Sequence, residues 1–207
     1  EPKYMNSPET LVFNKSRNLF ALNLAKKSKN GYIILSEGNI DVVSLHQAGF
    51  DSAVASLGTS LTPEQARLIS RYKSEVIIAY DNDGAGIKAA QRAIGILEKL
   101  DLKVKVLRMS GAKDPDEFIK LKGADAFRNL LEGSEDQVDY RLHAVTAKYD
   151  LSADEQKVEF LKEATELVAR LPGAVERQVY AMRVASLSGV AADAVTAGRV
   201  EVNWLAC

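Results

Sequence analysis

Cysteine and long apolar runs are what this 207-residue sequence has least of. Its single cysteine, Cys207, excludes an internal disulfide framework and a cysteine-based zinc site, which fits a reducing, cytoplasmic setting. No segment approaches the roughly 20 consecutive apolar residues that a membrane-spanning helix needs, so we expect no contact with a membrane. The 46% hydrophobic content is enough for one good core, or for one domain with a smaller satellite.

Net charge is also low, but it is unevenly distributed. The formal net charge of -1 gives no global electrostatic preference for a partner. Residues 1–30, however, carry six Lys or Arg against two Glu. This basic arm is compatible with a phosphate-bearing partner, although a solvated loop and helix surface is the plainer explanation. The turn-forming residues Pro2, Asn6 and Pro8 follow no element of structure, so we expect the sequence to be a segment of a longer chain.

Short apolar runs alternate with helical patterns between residues 32 and 107. The runs cover residues 32–38, 52–58, 75–81 and 102–109, and helical patterns separate them. This alternation predicts an α/β fold with a parallel sheet of about four strands, flanked by helices. After residue 115 the patterns are helical, and residues 134–190 predict a C-terminal helical bundle.

Carboxylates follow three of the four predicted strands. They lie after the first, third and fourth apolar runs: Glu37, Asp41, Asp81, Asp83, Asp114 and Asp116. Because ligands gather at the carboxyl ends of parallel strands, we expect these side chains at one edge of the sheet. An isolated Asp-x-Asp is usually turn chemistry, but this combination predicts a cluster whose repulsion a divalent cation relieves. Mg²⁺ prefers such oxygen ligands and serves phosphoryl transfer, and Mn²⁺ is expected to substitute for it.

Motifs across the chain resemble those of a known family. The central ones are EGNID (37–41), ASLGTSLT (55–62), YDNDGAG (80–86) and KDPDEF (113–118). They resemble the motif series of the Toprim domain and, more narrowly, of bacterial DnaG-type DNA primases. PKYMNSPET and FNKSRNLF resemble the end of the basic N-terminal subdomain of the primase core, and YDLSADEQKVEFL and VERQVY its closing helical segment. The resemblance implies three parts: a subdomain remnant at residues 1–30, a Rossmann-like Toprim domain at 31–133 and a helical subdomain at 134–207.

The resemblance also implies roles for individual residues. Glu37 matches the family's glutamate, proposed as the general acid/base of nucleotide polymerisation, and Asp81 and Asp83 match its metal-binding pair. Asp41, Asp114 and Asp116 match further acidic residues around the metal. Lys3, Asn6 and Lys15 match positions on the basic side that faces template or nucleotide. From the sequence alone, Lys113 is equally well explained as a phosphate contact or as a solvated lysine.

The chain departs from the family pattern beside these motifs. Many primases have tyrosine and methionine at the positions of Asn39 and Ile40, and arginines at the positions of Gly84 and Ile87. All six carboxylates are retained. The loss of two cations beside the metal site weakens the expectation for triphosphate contacts there.

The function implied by the resemblance is that of a primase polymerase core. Such a core makes short RNA primers on single-stranded DNA from ribonucleoside triphosphates, in the bacterial cytoplasm at the replisome. The chain is expected to be a monomer, weakly active or inactive alone, with its helicase-binding and zinc-binding domains outside this sequence. Two alternatives stay open: a module that binds metal and nucleotide without turnover, and another Toprim enzyme such as a nuclease. A phosphatase of the haloacid dehalogenase type would carry its Asp-x-Asp after the first strand. In this chain the pair follows the third predicted strand, which argues against that class.

Overall fold

The structure is a computed structural model that describes residues 8–10, 13–57, 60–192 and 195. The chain divides into two compact units, Glu1–Gln137 and Val138–Cys207. Within the described ranges, no helix is both long and apolar enough to cross a membrane. The separate assignment of residues 1–30 to a subdomain of their own stays a prediction.

A six-stranded sheet lies at the centre of the first unit. In spatial order its strands are β1 (Leu19–Phe20), β3 (Ala53–Ser56), β2 (Tyr32–Ser36), β4 (Glu75–Ala79), β5 (Lys103–Val106) and β6 (Glu135–Asp136). Strands β2 to β5 are parallel, as the sequence predicted. Strands β1 and β6 add antiparallel edges that the sequence did not predict. With two residues each, these edge strands are too short to produce a periodic signal.

Burial on both faces explains the continuous apolar runs of the central strands. In β2, the side chains of Ile33, Ile34 and Leu35 are fully buried, and in β4 those of Val76 and Ile78 are as well. A strand covered on both faces has no solvated side, so its sequence does not alternate between apolar and polar residues. The sheet therefore holds its strand ends in fixed positions, which matters for the residues that follow them.

Helices connect the strands of the first unit. They are α1 (Leu22–Ala25), α2 (Asn39–Gln47), α3 (Pro63–Ser70), α4 (Gly84–Leu97) and α5 (Pro115–Glu132). Helix α3 begins as predicted, because the Thr62 hydroxyl accepts a hydrogen bond from the Gln65 backbone N–H at 3.1 Å. Helix α5 joins two helices that the sequence predicted separately. They meet at Gly123, whose φ of 82° is left-handed and interrupts the helical geometry.

The second unit is helical, as predicted. It contains most of α6 (Gln137–Thr146), together with α7 (Asp154–Ala169) and α8 (Ala174–Ser188). Its core includes the fully buried side chains of Phe160, Ala164 and Val184. Helix α8 ends at Gly189, whose φ of 72° gives the left-handed cap that commonly stops a helix.

Candidate active site

The connections of β2 and β4 create a crevice at one edge of the sheet. The two strands are neighbours, but the chain leaves β2 towards β3 on one side and β4 towards β5 on the other. Ligands of open α/β sheets bind at such a switch point, outside the carboxyl ends of the strands. Ser36 pairs with Ala79 across these two strands, so Glu37 and Asp81 follow the pair by one and two residues at the same edge of the sheet. The predicted pair of acidic segments therefore meets at this crevice.

Glu37 is half-buried and incompletely hydrogen-bonded. Its Oε1 atom is buried, yet among the described residues it has no hydrogen-bond partner. Burial raises the pKa of Glu37, and the charges of Asp81 and Asp83 raise this pKa further. The Asp81 backbone N–H and the positive charge of Arg92 oppose that rise. A carboxylate oxygen in this state costs free energy, which a cation or a proton at the site would offset.

The Gly-Ala-Gly segment after Asp83 allows helix α4 to begin directly against Asp81. The Asp83 Oδ1 atom accepts hydrogen bonds from the backbone N–H groups of Ala85 at 2.9 Å and Gly86 at 2.8 Å. A Cβ atom at Gly86 would lie 2.0 Å from the Asp81 carbonyl oxygen, a severe overlap. The Oδ1 atom of Asp83 therefore caps helix α4. Position 86 needs a glycine because any side chain there would overlap the Asp81 carbonyl group.

Asp81 is half-buried among charges of both signs. Burial raises its pKa, and the charge of Asp114 raises the pKa further, whereas the charge of Lys113 lowers it. This places the loop after β5 beside the loop after β4. The sequence prediction that carboxylates from different strands share one edge is thus supported by the mutual electrostatics of Glu37, Asp81 and Asp114.

Asp41 is the most deeply buried of the six carboxylates, at 6% exposed. Its Oδ2 atom accepts the Gly38 backbone N–H at 3.1 Å, and its Oδ1 atom accepts the Asp116 backbone N–H at 3.4 Å. Burial, followed by the charge of Asp114, raises the pKa of Asp41 to about 6. A Cβ atom at Gly38 would approach Asp41 Oδ2 to 2.7 Å, which explains the glycine of the Glu-Gly motif. Asp41 thus connects the Glu37 loop to the start of α5.

The two aspartates of the last motif also have polar partners. Asp114 caps α5, because its Oδ1 atom accepts the Glu117 backbone N–H at 2.8 Å. Asp116 accepts a hydrogen bond from the Ser44 hydroxyl and forms an ion pair with Lys120 at 2.6 Å. Asp116 therefore joins α2 to α5, and its proposed part in metal binding stays a prediction.

The predicted basic residues divide between the described and the undescribed parts of the chain. Lys3 and Asn6 lie outside the described residues. Lys15 lies in a 3₁₀ turn, Lys15–Arg17, just before β1. Because Leu19 of β1 pairs with Ser56 at the end of β3, this turn lies at the same edge of the sheet as the carboxylates. Lys113 is exposed beside Asp81.

Hydrogen bonds from α3 fix the backbone around Lys15. The Gln65 Nε2 atom donates to the Lys15 carbonyl at 2.9 Å and to the Asn18 carbonyl at 2.8 Å. The Thr62 hydroxyl donates to the Ser16 carbonyl at 2.6 Å. The cap of α3 thus also positions the basic turn.

Two functional candidates escaped the sequence analysis. Arg92 on α4 has its Nη2 atom 3.3 Å from the Ser60 hydroxyl, and its charge lowers the pKa of Glu37. The buried Tyr80 hydroxyl has no hydrogen-bond partner among the described residues, and burial and the Glu37 charge raise its pKa. For Arg92 no sequence signal exists, since its direction depends on how α4 packs. Tyr80 is part of the YDNDGAG motif but was grouped with the apolar strand.

The donor set fits a cation that brings some of its own ligands. Among the described residues, no three His, Cys, Asp or Glu side chains form a group that could hold an ion by themselves. Mg²⁺, however, commonly uses one or two carboxylates together with waters and substrate phosphates. The unpartnered Glu37 Oε1 atom and the adjacent Asp81 provide such a partial set.

Two family models match the chain, one to each unit. A family described as Toprim-like matches residues 34–119. A family described as the DnaB-helicase binding domain of primase matches residues 138–193. The second match corrects the expectation that a helicase-binding domain lies outside this sequence.

Related proteins and structures agree with these matches. The DNA primase of Clostridium acetobutylicum is 40% identical over 94% of this chain, and the chain covers 33% of that protein. The DNA primase of Listeria innocua is 40% identical, with coverages of 89% and 30%. The DNA-bound RNA polymerase domain of Mycobacterium tuberculosis primase DnaG has a TM-score of 0.78 at 30% identity, covering 92% of this chain and 62% of that one. A DnaG primase catalytic domain bound to single-stranded DNA has a TM-score of 0.75 at 30% identity, with coverages of 91% and 61%.

The sheet order and the acidic crevice of the first unit define a Toprim domain. A helical domain follows it in the chain. The chain belongs, more narrowly, to the bacterial DnaG-type DNA primases, as the motifs indicated. It spans about a third of the length of the curated relatives that it matches.

Proposed function

We propose that this chain forms part of the RNA polymerase core of a DNA primase, which synthesises short RNA primers on single-stranded DNA for replication. The observation that carries the proposal is the half-buried Glu37 beside Asp81 at the switch point of the sheet. Its Oε1 atom has no hydrogen-bond partner in the described part of the chain. The reaction is nucleotidyl transfer: the primer 3′-oxygen attacks the α-phosphate of a ribonucleoside triphosphate, and pyrophosphate leaves. The chemistry of the donor set and the kinship to primases both support this reaction.

Glu37 and Asp81 are the central residues of the proposed site. These two carboxylates would hold Mg²⁺, or Mn²⁺ in its place. The ion would supply positive charge that relieves carboxylate repulsion and would orient the triphosphate oxygens. Asp83 and the other acidic residues, Asp41, Asp114 and Asp116, complete the negative field around it. Burial and the Asp81 charge raise the pKa of Glu37, which makes this carboxylate a better proton acceptor than an exposed glutamate and supports its proposed role as general acid/base.

Cationic side chains around the crevice are proposed to bind phosphates. Lys15 and Lys113 lie at the carboxylate edge, and Arg92 approaches it from α4. Lys3 and Asn6 are proposed to act on the same basic side. Since relatives of this fold have been solved with DNA, we assign template and nucleotide contacts to these residues. Such contacts weaken as salt concentration rises.

The second unit is proposed to contact the replicative helicase. Its match to a family described as helicase-binding supports this assignment. We propose a monomer that acts in the bacterial cytoplasm at the replisome, where a helicase exposes the single-stranded template.

Template-directed incorporation of labelled ribonucleotides tests the proposal. The assay is run with Mg²⁺ and with Mn²⁺, on this chain and on the full-length protein. We expect incorporation to need the divalent cation and to disappear in Glu37→Gln. Glu98→Gln is the matched control, because Glu98 follows α4 at the opposite end of the sheet. Cleavage of DNA without ribonucleotides would instead support a Toprim nuclease, and retained activity in Glu37→Gln would refute the assigned role.

A further inference from the structure

Asn82, between the two aspartates of the YDNDGAG motif, connects two loops of the site. Its backbone N–H donates to the Lys113 carbonyl at 2.8 Å. Its side-chain Nδ2 atom donates to the Met109 carbonyl at 3.2 Å. Both acceptors belong to the segment after β5 that leads into Asp114. The two hydrogen bonds therefore attach the loop after β4 to the loop after β5.

The side-chain contact distinguishes Asn82 from an ordinary turn asparagine. In a turn, an asparagine side chain usually bonds the backbone about two residues away. Here the amide reaches a buried residue of another strand connection, Met109, which is 1% exposed. The backbone hydrogen bond to Lys113 is available to any non-proline residue, but the bond to Met109 needs a side-chain donor.

Electrostatic repulsion makes such an attachment useful. Asp81 and Asp114 carry like charges on the two loops, and each disfavours ionisation of the carboxylates near it. This repulsion opposes the close approach of the two loops. A neutral donor can hold them together without adding charge, which a lysine or an aspartate could not do.

We propose that Asn82 is a positioning residue that holds Asp81 and Asp114 at the spacing at which they share a cation–triphosphate complex. It does so through Met109 and Lys113. The proposal rests on the proposed cation site and goes beyond it, because the role of Asn82 is to fix the two loops through Met109 and Lys113 and not to bind the ion. Losing one such hydrogen bond is expected to weaken cation binding about 2- to 10-fold.

Mn²⁺ titration followed by electron paramagnetic resonance measures the effect on the intact chain. We expect Asn82→Ala to bind Mn²⁺ about 2- to 10-fold more weakly than the parent chain. The control is Asn129→Ala, which removes an exposed amide from α5 and should leave Mn²⁺ affinity unchanged. Parent-like affinity in Asn82→Ala would overturn the proposal and leave the proposed function intact. A parent chain that binds no Mn²⁺ would instead remove the cation site on which both rest.

Hydrogen exchange of residues 107–117 gives a readout that needs neither metal nor activity. Exchange there should be faster in Asn82→Ala and in Asn82→Asp, because neither side chain can donate to the Met109 carbonyl. Asn82→Asp keeps the shape of the side chain but adds a negative charge beside Asp81, so exchange in this variant should be at least as fast as in Asn82→Ala. Exchange in strand β2, which belongs to the same unit, serves as the internal reference for unfolding of that unit. Unchanged exchange of residues 107–117 in both variants would overturn the proposal.

Discussion

Gly84 and Gly86 provide a matched pair of substitutions at the start of helix α4. A Cβ atom at Gly86 would lie 2.0 Å from the Asp81 carbonyl oxygen and 2.8 Å from the carbonyl carbon. A Cβ atom at Gly84 would have no heavy atom within 4 Å. Neither glycine has a positive φ, so alanine fits the backbone conformation at both positions. The two Gly→Ala variants therefore differ in one respect, which is the overlap with the backbone of Asp81.

The overlap at Gly86 sets the size of the expected effect. Normal separation requires a displacement of about 1 Å, and since the obstructing atoms are backbone, no side-chain rotation can provide it. Overpacking of this kind typically costs about 1–3 kcal/mol of unfolding free energy. A displacement of about 1 Å at a reacting site costs on the order of 100-fold in rate. We expect Gly86→Ala to show both losses, and Gly84→Ala to be neutral or more stable by about 0.4–1 kcal/mol.

Three measurements test this expectation for both variants. Urea denaturation gives the unfolding free energy, Mn²⁺ titration gives cation affinity, and ribonucleotide incorporation by the full-length protein gives activity. The reasoning would be refuted if Gly86→Ala matched Gly84→Ala in all three. A Gly86→Ala chain that kept its stability but lost Mn²⁺ affinity would show that the strain falls on Asp81 alone.

Three further predictions follow from burial and hydrogen bonding. Burial raises the pKa of Asp41 from 3.8 to about 6, so the folded state binds this proton more tightly than the unfolded state does. Without divalent cations, the unfolding free energy should therefore fall by on the order of 3 kcal/mol as pH rises from 4 to above 6. Urea titrations of the parent chain should show this fall, and those of Asp41→Asn should show less of it. Gln65→Ala should cost about 1–3 kcal/mol in urea denaturation, because it leaves two carbonyls near Lys15 without their donor, whereas the exposed Gln91→Ala should cost little. Asp116→Asn should weaken Mn²⁺ binding less than Asp81→Asn in the same titration, because Asp116 already pairs with Lys120.

Much of the fold could be predicted from the sequence because burial leaves a direct signal there. The continuous apolar runs of β2 to β4, the alternating pattern of β5 and the Thr62-Pro63 helix start were sufficient for the parallel sheet and α3. The edge strand β1 was not predictable, because two residues carry no periodicity and its pairing with β3 depends on tertiary structure. The two helices that meet at Gly123 were predictable as separate helices, since a glycine is a normal helix stop.

The candidate site was only partly predictable, because the sequence places carboxylates at strand ends without giving their hydrogen bonds. Glu37 and Asp81 meet at the switch point as the strand pattern implied. The binding of Asp41 to two backbone N–H groups and of Asp116 to Ser44 depends on how α2 packs against α5. Arg92 and Asn82 were missed because their contacts cross between segments far apart in the sequence.

These contacts divide the acidic residues into two groups with different consequences for metal binding. Asp41 and Asp116 each accept more than one hydrogen bond or ion pair, so their oxygens already have partners within the protein. Glu37 has a buried oxygen without a hydrogen-bond partner among the residues that the structure describes, and Asp81 lies beside it. A cation that binds only this second group keeps open coordination positions for waters or phosphate oxygens. Affinity for the cation should therefore rise when a triphosphate is present, since the nucleotide supplies the ligands that the protein does not. Mn²⁺ titration with and without a ribonucleoside triphosphate measures this coupling, and equal affinity in the two conditions would contradict the division.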